Sequence, residues 1–158
     1  MNERHSEEQK TFTVEEANAT LPLVRAIVKD LAELSQDVVE RRERLNMLRG
    51  DRDPESADIY SAELAQIELE LEKDGETLQG YIDELRQIGV EPKNGPEGIV
   101  DFPMLMDDRI VYLCWKLGEP EVLFWHEVEA GFAGRQPLTA DSAAGDSDAA
   151  DPTASRES

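Results

Sequence analysis

The sequence predicts an α+β fold, in which a long, coiled-coil-like antiparallel helical hairpin has a small three-stranded antiparallel sheet at its base. Two observations support this prediction. From Leu21 to Leu85, apolar residues recur at spacings of three and four, as they do along amphipathic helices. After Gly89, three short runs rich in β-forming residues follow, and turn-forming residues separate them.

The first helix begins with a capping box, in which Thr13 is the N-cap and Glu16 reaches back to it. Pro22 lies too far along the pattern for one uninterrupted helix. We therefore expect a short helix over 14–19 and a second one over 21–49. A continuous helix with a kink at Pro22 is the alternative.

The next helix is marked at both ends. Thr20 is expected to cap the helix over 21–49, and Gly50 to end it. Asp53 as N-cap and Pro54 at the first helical position then begin a helix over 54–88. The short connection means that the two long helices fold back on each other.

The apolar seams of these two helices match when the helices are antiparallel, because the residue numbers of facing positions add to a constant to within one. The facing pairs include Leu45 with Tyr60, Val38 with Ile67, and Leu21 with Leu85. At 1.5 Å per residue this predicts a hairpin of roughly 50 Å. We expect the arginines near its tip to pair with Glu63 and Glu68 across the seam.

Three apolar runs predict the strands of an antiparallel meander: 99–106, 110–117 and 122–126. Turn compositions separate them at 107–108 and 118–120. The middle run is apolar on both faces and is expected at the centre, whereas Pro103 suits an edge strand or a bulge. The Pro- and Gly-rich stretch 90–98 is predicted to be a loop.

The composition describes a strongly acidic, soluble protein of one domain, ordered over 11–138. It has 36 acidic and 16 basic residues and a net charge of −20, which argues against nucleic acid and anionic membranes as partners. No apolar run is long enough to span a membrane and no secretory signal is visible. The single cysteine fits the reducing cytoplasm, so we expect a cytoplasmic protein.

The two ends of the chain are predicted to lack fixed structure. Residues 139–158 contain no aromatic residue and no Val, Ile, Leu or Met. Such a segment cannot bury enough apolar surface to offset the entropy of ordering it. We expect a disordered acidic tail there and a flexible N-terminus over 1–10.

A divalent metal is the first candidate ligand. His126 and Glu129 are three residues apart at the end of the last predicted strand, so they can share one face of a turn. Asp101, on the neighbouring strand, is the candidate third ligand. The alternative is that His126 caps a strand or hydrogen-bonds across the sheet, and that Arg135 pairs with a nearby carboxylate.

A small-ligand pocket is the second candidate, formed by Trp115, Glu119, Trp125 and Arg135. Across a hairpin the two indoles come within reach of each other and give an aromatic wall beside His126. The alternative is that both tryptophans fill the interface between the sheet and the helices.

Several blocks of the sequence resemble the bacterial family DUF2203. They occur in the family's order at 12–19 (FTVEEANA), 21–24 (LPLV), 100–103 (VDFP), 113–121 (LCWKLGEPE), 125–126 (WH) and 131–138 (GFAGRQPL). The resemblance covers about 11–138. It implies that the blocks with Asp101, Trp115, Glu119, His126, Gly131 and Arg135 belong to a recurring pattern, and it implies no substrate, cofactor or catalytic residue.

Two function hypotheses follow. The preferred one is a non-enzymatic interaction or scaffold protein, whose hairpin pairs with a second copy or with a protein partner. Its basis is a set of apolar residues off the seam: Ile27, Leu34, Ile59 and Leu69. The other is a protein, or an enzyme, that binds a small ligand or a divalent metal through Asp101, His126, Glu129 and Arg135.

Overall fold

The computed structural model describes residues 10–50 and 57–138, with the backbone alone for 57–60. Within these ranges the chain is α+β, with two helices followed by a five-stranded antiparallel sheet. The helices are α1 (Val14–Gly50) and α2 (Ala57–Ile88). The strands, adjacent in chain order, are β1 (Glu91–Asn94), β2 (Ile99–Met106), β3 (Arg109–Lys116), β4 (Phe124–His126) and β5 (Gln136–Pro137).

Helix α1 begins at the predicted capping box, which is confirmed. The Glu16 N–H donates to the Thr13 hydroxyl and the Thr13 N–H donates to the Glu16 carboxylate, both at 3.0 Å. The predicted break near Thr20 is wrong, because α1 is one helix that contains Pro22. The Thr20 hydroxyl donates to the Glu16 carbonyl inside this helix, at 2.9 Å. Buried side chains on both sides of Pro22 stabilise the helix across the missing hydrogen bond.

The sheet has five strands, so the prediction of three is wrong. Strand β1 lies in the stretch predicted as a loop, and its sequence, EPKN, has no apolar alternation. It is a strand because its backbone pairs with β2. Strand β5 has two exposed residues and pairs with β4. Short edge strands such as these leave no hydrophobic periodicity in the sequence.

The three predicted strands are present, and β3 is central as predicted. Strand β2 has the predicted bounds, β3 begins one residue earlier, and β4 is shorter. Asp107 and Asp108 make the turn between β2 and β3 with φ angles of 52° and 65°, a left-handed conformation that aspartate tolerates. Pro103 lies beyond the part of β2 that pairs with β1, and its carbonyl accepts the Phe12 N–H instead.

The main core lies between the helices and one face of the sheet. Val111, Leu113 and Trp115 of β3 belong to it, together with residues of both helices. Because side chains alternate along a strand, Tyr112 and Cys114 project from the opposite face. The candidate site is on that second face.

Side chains of α1 and α2 contact each other near the connection between them. Leu45 and Leu48 pack with Ile67. The ion pairs between the helices are Arg41 with Glu70 and Asp74, Arg44 with Glu63, and Arg49 with Glu68. The predicted pairing of the arginines with Glu63 and Glu68 is confirmed.

The position of Ile67 shows that the predicted register is wrong. Ile67 packs with Leu45 and Leu48, about one heptad along α1 from its predicted partner Val38. An apolar seam with a seven-residue repeat matches equally well in registers that differ by one heptad. The apolar pattern alone therefore could not distinguish the predicted register from the observed one, in which the ion pairs form.

We expect cysteines at Leu45 and Ile67 to crosslink under mild oxidation, with Cys114 replaced by alanine. Cysteines at Val38 and Ile67 should crosslink more slowly, because one heptad displaces Val38 by about 10 Å along the helix. Mass spectrometry of the digested protein measures both yields. Faster crosslinking of the Val38 pair would contradict the contacts described above.

Three predictions concern residues outside the described ranges. They are the helix start at Asp53–Pro54, the acidic tail over 139–158, and the flexible N-terminus apart from Lys10. Within the described ranges, no helix combines the length and the apolar character that crossing a membrane requires.

Candidate metal and ligand site

His126 at the end of β4 forms a buried pair with Asp101 of β2. His126 Nε2 lies 3.0 Å from both carboxylate oxygens of Asp101, and the two residues are 2% and 1% exposed. On the other side of the ring, His126 Nδ1 lies 2.7 Å from the Glu127 carbonyl oxygen. A carbonyl oxygen only accepts hydrogen bonds, so Nδ1 carries a proton and donates it. Nε2 is therefore the nitrogen available to Asp101.

When no cation is bound, this geometry requires one further proton between the two side chains. With Nδ1 protonated, Nε2 and a carboxyl oxygen attract each other only if one of them carries a hydrogen. Burial raises the pKa of Asp101, whereas its hydrogen bond to His126 and the charge of His126 lower it. One hydrogen therefore lies between the Asp101 carboxylate and His126 Nε2.

Cys114 of β3 is the third buried group of this cluster. Its Sγ, a ring nitrogen of His126 and a carboxylate oxygen of Asp101 lie within 4.8 Å of one another. The strand register explains this arrangement, because Asp101 pairs with Cys114 and His126 pairs with Tyr112, two residues away on the same face. Burial, with the charge of Asp101, raises the pKa of Cys114 to about 12. The thiol is consequently protonated at neutral pH when no metal is bound.

Arg135 places a positive charge beside this cluster. Its guanidinium donates to the two carboxylate oxygens of Glu119, at 3.2 and 2.6 Å, and its positive charge acts to lower the pKa of Cys114 against the larger effect of burial. It also lies over the rings of Phe124 and Phe132, 4.0 and 4.2 Å from their centres. Burial lowers the pKa of Arg135. The hydrogen bond to Glu119 and the negative charge of Glu119 raise it by more, so the pKa lies above its ordinary value. Arg135 therefore stays charged next to the thiol.

Glu119 joins the loop between β3 and β4 to the segment that carries Arg135. Its carboxylate accepts the Lys116 backbone N–H at 3.0 Å, and its carbonyl accepts the Trp115 indole N–H at 3.0 Å. Through these bonds and those to Arg135, Glu119 connects the end of β3 with the segment that follows β4.

A cavity of about 440 Å³ opens above the buried pair. Asp101 and His126 line it, and because both are buried they form its floor. The Tyr112 ring lies 5.7 Å from the His126 ring, and Phe132 lines the cavity from the loop that follows β4. Lys93 is exposed and lies at the rim. The volume is within the range of about 300–1,000 Å³ that small-molecule sites occupy.

The family model of DUF2203, described as an uncharacterized conserved protein, matches residues 10–138. The chain belongs to the DUF2203 family. The predicted resemblance is thereby confirmed, and the match includes every helix and strand described above. Comparison with curated proteins and with solved structures gives no match.

The predicted metal ligands of this DUF2203 chain are brought together in part. Asp101 and His126 contact each other, but Glu129 is exposed and lies outside the cluster. Cys114, rather than Glu129, lies beside Asp101 and His126. Of the residues predicted to bind a small ligand, Glu119 and Arg135 form an ion pair with each other. This agrees with the alternative that Arg135 pairs with a nearby carboxylate.

The two tryptophans of the DUF2203 chain do not form a wall beside His126. Trp115 and Trp125 are buried in the core on the opposite face of the sheet, where they fill the interface with the helices. The aromatic side chains that line the cavity with His126 are instead Tyr112 and Phe132, neither of which was among the predicted site residues.

The raised pKa of Cys114 predicts how stability depends on pH in the metal-free DUF2203 protein. A cysteine in the unfolded chain ionises near pH 9.0, whereas folded Cys114 stays protonated until about pH 12. Between these values the folded state holds more protons, so the free energy of unfolding falls by up to about 1.4 kcal/mol per pH unit from this group.

Urea denaturation of wild type and Cys114→Ala at several pH values measures this contribution. The stability of wild type relative to the variant should decrease between about pH 9 and pH 11, because only wild type has the thiol. A difference that does not change with pH would contradict the raised pKa.

Proposed function

We propose that the protein binds a divalent transition metal through Asp101, Cys114 and His126, and that the metal serves as a small-molecule binding site. The convergence of three buried ligand groups carries this proposal: their ligand atoms lie within 4.8 Å of one another. A thiolate, an imidazole and a carboxylate are common ligands of Zn²⁺, and three protein ligands leave the fourth tetrahedral position open. The thiolate also favours such metals over Mg²⁺ and Ca²⁺.

The surroundings of the cluster support metal binding. Metal-bound histidines usually donate their second N–H to a carbonyl or carboxylate, and His126 donates to the Glu127 carbonyl. This bond leaves Nε2 free to ligate. The positive charge of Arg135 acts to lower the pKa of Cys114, which favours the thiolate that a metal needs.

The charges of the cluster also suit a divalent ion. One thiolate and one carboxylate balance two positive charges, so the loaded site has no net charge to bury. In the metal-free protein, one proton on Cys114 and one shared by Asp101 and His126 give the same neutrality. Binding therefore exchanges these protons for the metal, and affinity should rise with pH.

Titration of chelator-treated protein with Co²⁺ tests this proposal. We expect one equivalent to bind and to give the visible absorption of tetrahedral Co²⁺ together with a thiolate-to-cobalt charge-transfer band. Cys114→Ser should lose the charge-transfer band, whereas Glu129→Gln, which removes an acidic group outside the cluster, should keep it. Absence of stoichiometric binding, or equal losses in the two variants, would contradict the proposal.

A second candidate function rests on the helices. We propose that α1 and α2 form an antiparallel hairpin that associates with a second copy of the chain. The ion pairs between the helices support the hairpin, and exposed apolar residues support association: Met47 is 67% and Leu69 is 53% exposed. Ile27 no longer contributes because it is buried in the core, and the Ile59 side chain lies outside the described part.

Sedimentation equilibrium tests this association. We expect a concentration-dependent dimer, which the double variant Met47→Gln with Leu69→Gln shifts to monomer. The matched control is Leu105→Gln, which alters an exposed apolar residue of the sheet. A monomeric wild type at all concentrations would contradict it.

A further inference from the structure

We propose that the ligand of the loaded site is a small organic carboxylate with an apolar body. Its carboxylate would occupy the open position of the metal near Lys93, and its body would lie against the apolar wall of the cavity. This inference rests on the metal site proposed above and adds the chemical class of the molecule that the metal receives.

The direction of the open position follows from the sheet. Asp101, Cys114 and His126 come from three adjacent strands and share one face, so all three reach a bound metal from the sheet side. The remaining tetrahedral position then points away from the sheet. The cavity lies on that side, since Asp101 and His126 are part of its lining.

The charges at the rim favour an anion. The ammonium of Lys93 lies 6.0 Å from the centre of the Tyr112 ring, and no described carboxylate lies within ion-pair distance of it. Glu97, which also lines the cavity, is paired with Lys116 at 3.8 Å. In a chain with a net charge of −20, Lys93 has no ion pair among the described residues, and its charge already acts on Asp101 at the floor of the cavity, so it gives local attraction for a negative group above a neutral metal site.

The rest of the lining favours an apolar body. Aliphatic and aromatic side chains line the cavity: Ile99, Tyr112, Val128, Phe132 and Ala133. Val128 is 56% exposed although it lines the cavity, so a bound molecule would remove apolar surface from water. A bare inorganic anion would leave this wall uncovered.

Titration of the Co²⁺-loaded full-length protein with benzoate at low salt tests the inference. We expect a saturable change in the visible Co²⁺ spectrum. Benzamide has the same shape without the charge, and acetate has the charge without the ring. Both should bind at least about tenfold more weakly than benzoate, since each lacks one of the two recognised features.

A pair of lysine variants tests the role of the rim. Lys93→Gln should weaken benzoate binding about fivefold, because it removes the charge nearest the carboxylate. Lys73→Gln makes the same change of net charge on α2, outside the cavity lining, and should leave the affinity within about twofold of wild type.

The outcomes separate this inference from the metal site itself. If Co²⁺ binds with its charge-transfer band but benzoate leaves the spectrum unchanged, the metal site stands and the carboxylate inference fails. Equal affinity for benzoate and benzamide, or equal losses in the two lysine variants, overturns it as well. If Co²⁺ does not bind stoichiometrically, both proposals are overturned.

Discussion

His126→Ala is expected to weaken Co²⁺ binding by well over 100-fold. Loss of a group that only supports a ligand typically costs about 10–100-fold in metal affinity, and His126 is proposed to be a ligand itself. Competition with a chelator of known affinity measures the change. The far-UV spectrum should stay the same, because α1 and α2 supply most of the helical signal.

His5→Ala is the matched control, because it removes the only other histidine of the chain. Its Co²⁺ affinity should equal that of wild type. The opposing hypothesis, in which His126 only hydrogen-bonds to Asp101, predicts that neither wild type nor variant binds metal. Under that hypothesis His126→Ala would still cost about 1–3 kcal/mol of stability, because buried Asp101 would lose its partner.

Glu119→Ala is expected to lower the free energy of unfolding by about 2–4 kcal/mol. The substitution leaves the Arg135 guanidinium without its carboxylate and the Lys116 N–H without its acceptor. The side chains of Arg135 and Glu119 are only 17% and 18% exposed, so water replaces these bonds incompletely. Urea denaturation measures the loss.

Glu63→Ala removes the carboxylate of a solvent-exposed ion pair with Arg44 and serves as the control. An exposed pair typically contributes less than about 1 kcal/mol, so this variant should be close to wild type. Equal losses in the two variants would contradict a larger contribution of the partly buried Glu119–Arg135 pair than of the exposed pair.

Local chemistry made parts of the fold predictable from the sequence. The capping box at Thr13 and Glu16 specifies its own hydrogen bonds, and both are present. Strands β2, β3 and β4 were identified from alternating or continuous apolar runs, because each of these strands has a buried face. The continuity of α1 through Pro22 depended on tertiary packing, which local pattern does not encode.

Two of the three cluster residues, Asp101 and His126, were predicted from the sequence, and the third, Cys114, could have been. A two-residue turn at Asp107 and Asp108 fixes the register of its hairpin, and that register places Asp101 opposite Cys114. Cys114 was passed over because it lies in a buried apolar run. Glu129 was chosen for its spacing from His126, but it lies in the turn after β4, where the Ala130 N–H donates to the Glu127 carbonyl, and its side chain is exposed.

The most direct test of the metal site is X-ray absorption spectroscopy on the Zn²⁺-loaded full-length protein. We predict one sulfur ligand at about 2.3 Å, with nitrogen and oxygen ligands at about 2.0–2.2 Å. Cys114→Ser should lose the sulfur contribution, and Glu129→Gln should leave the spectrum unchanged. A wild-type spectrum with only oxygen and nitrogen ligands would contradict a site built from Asp101, Cys114 and His126.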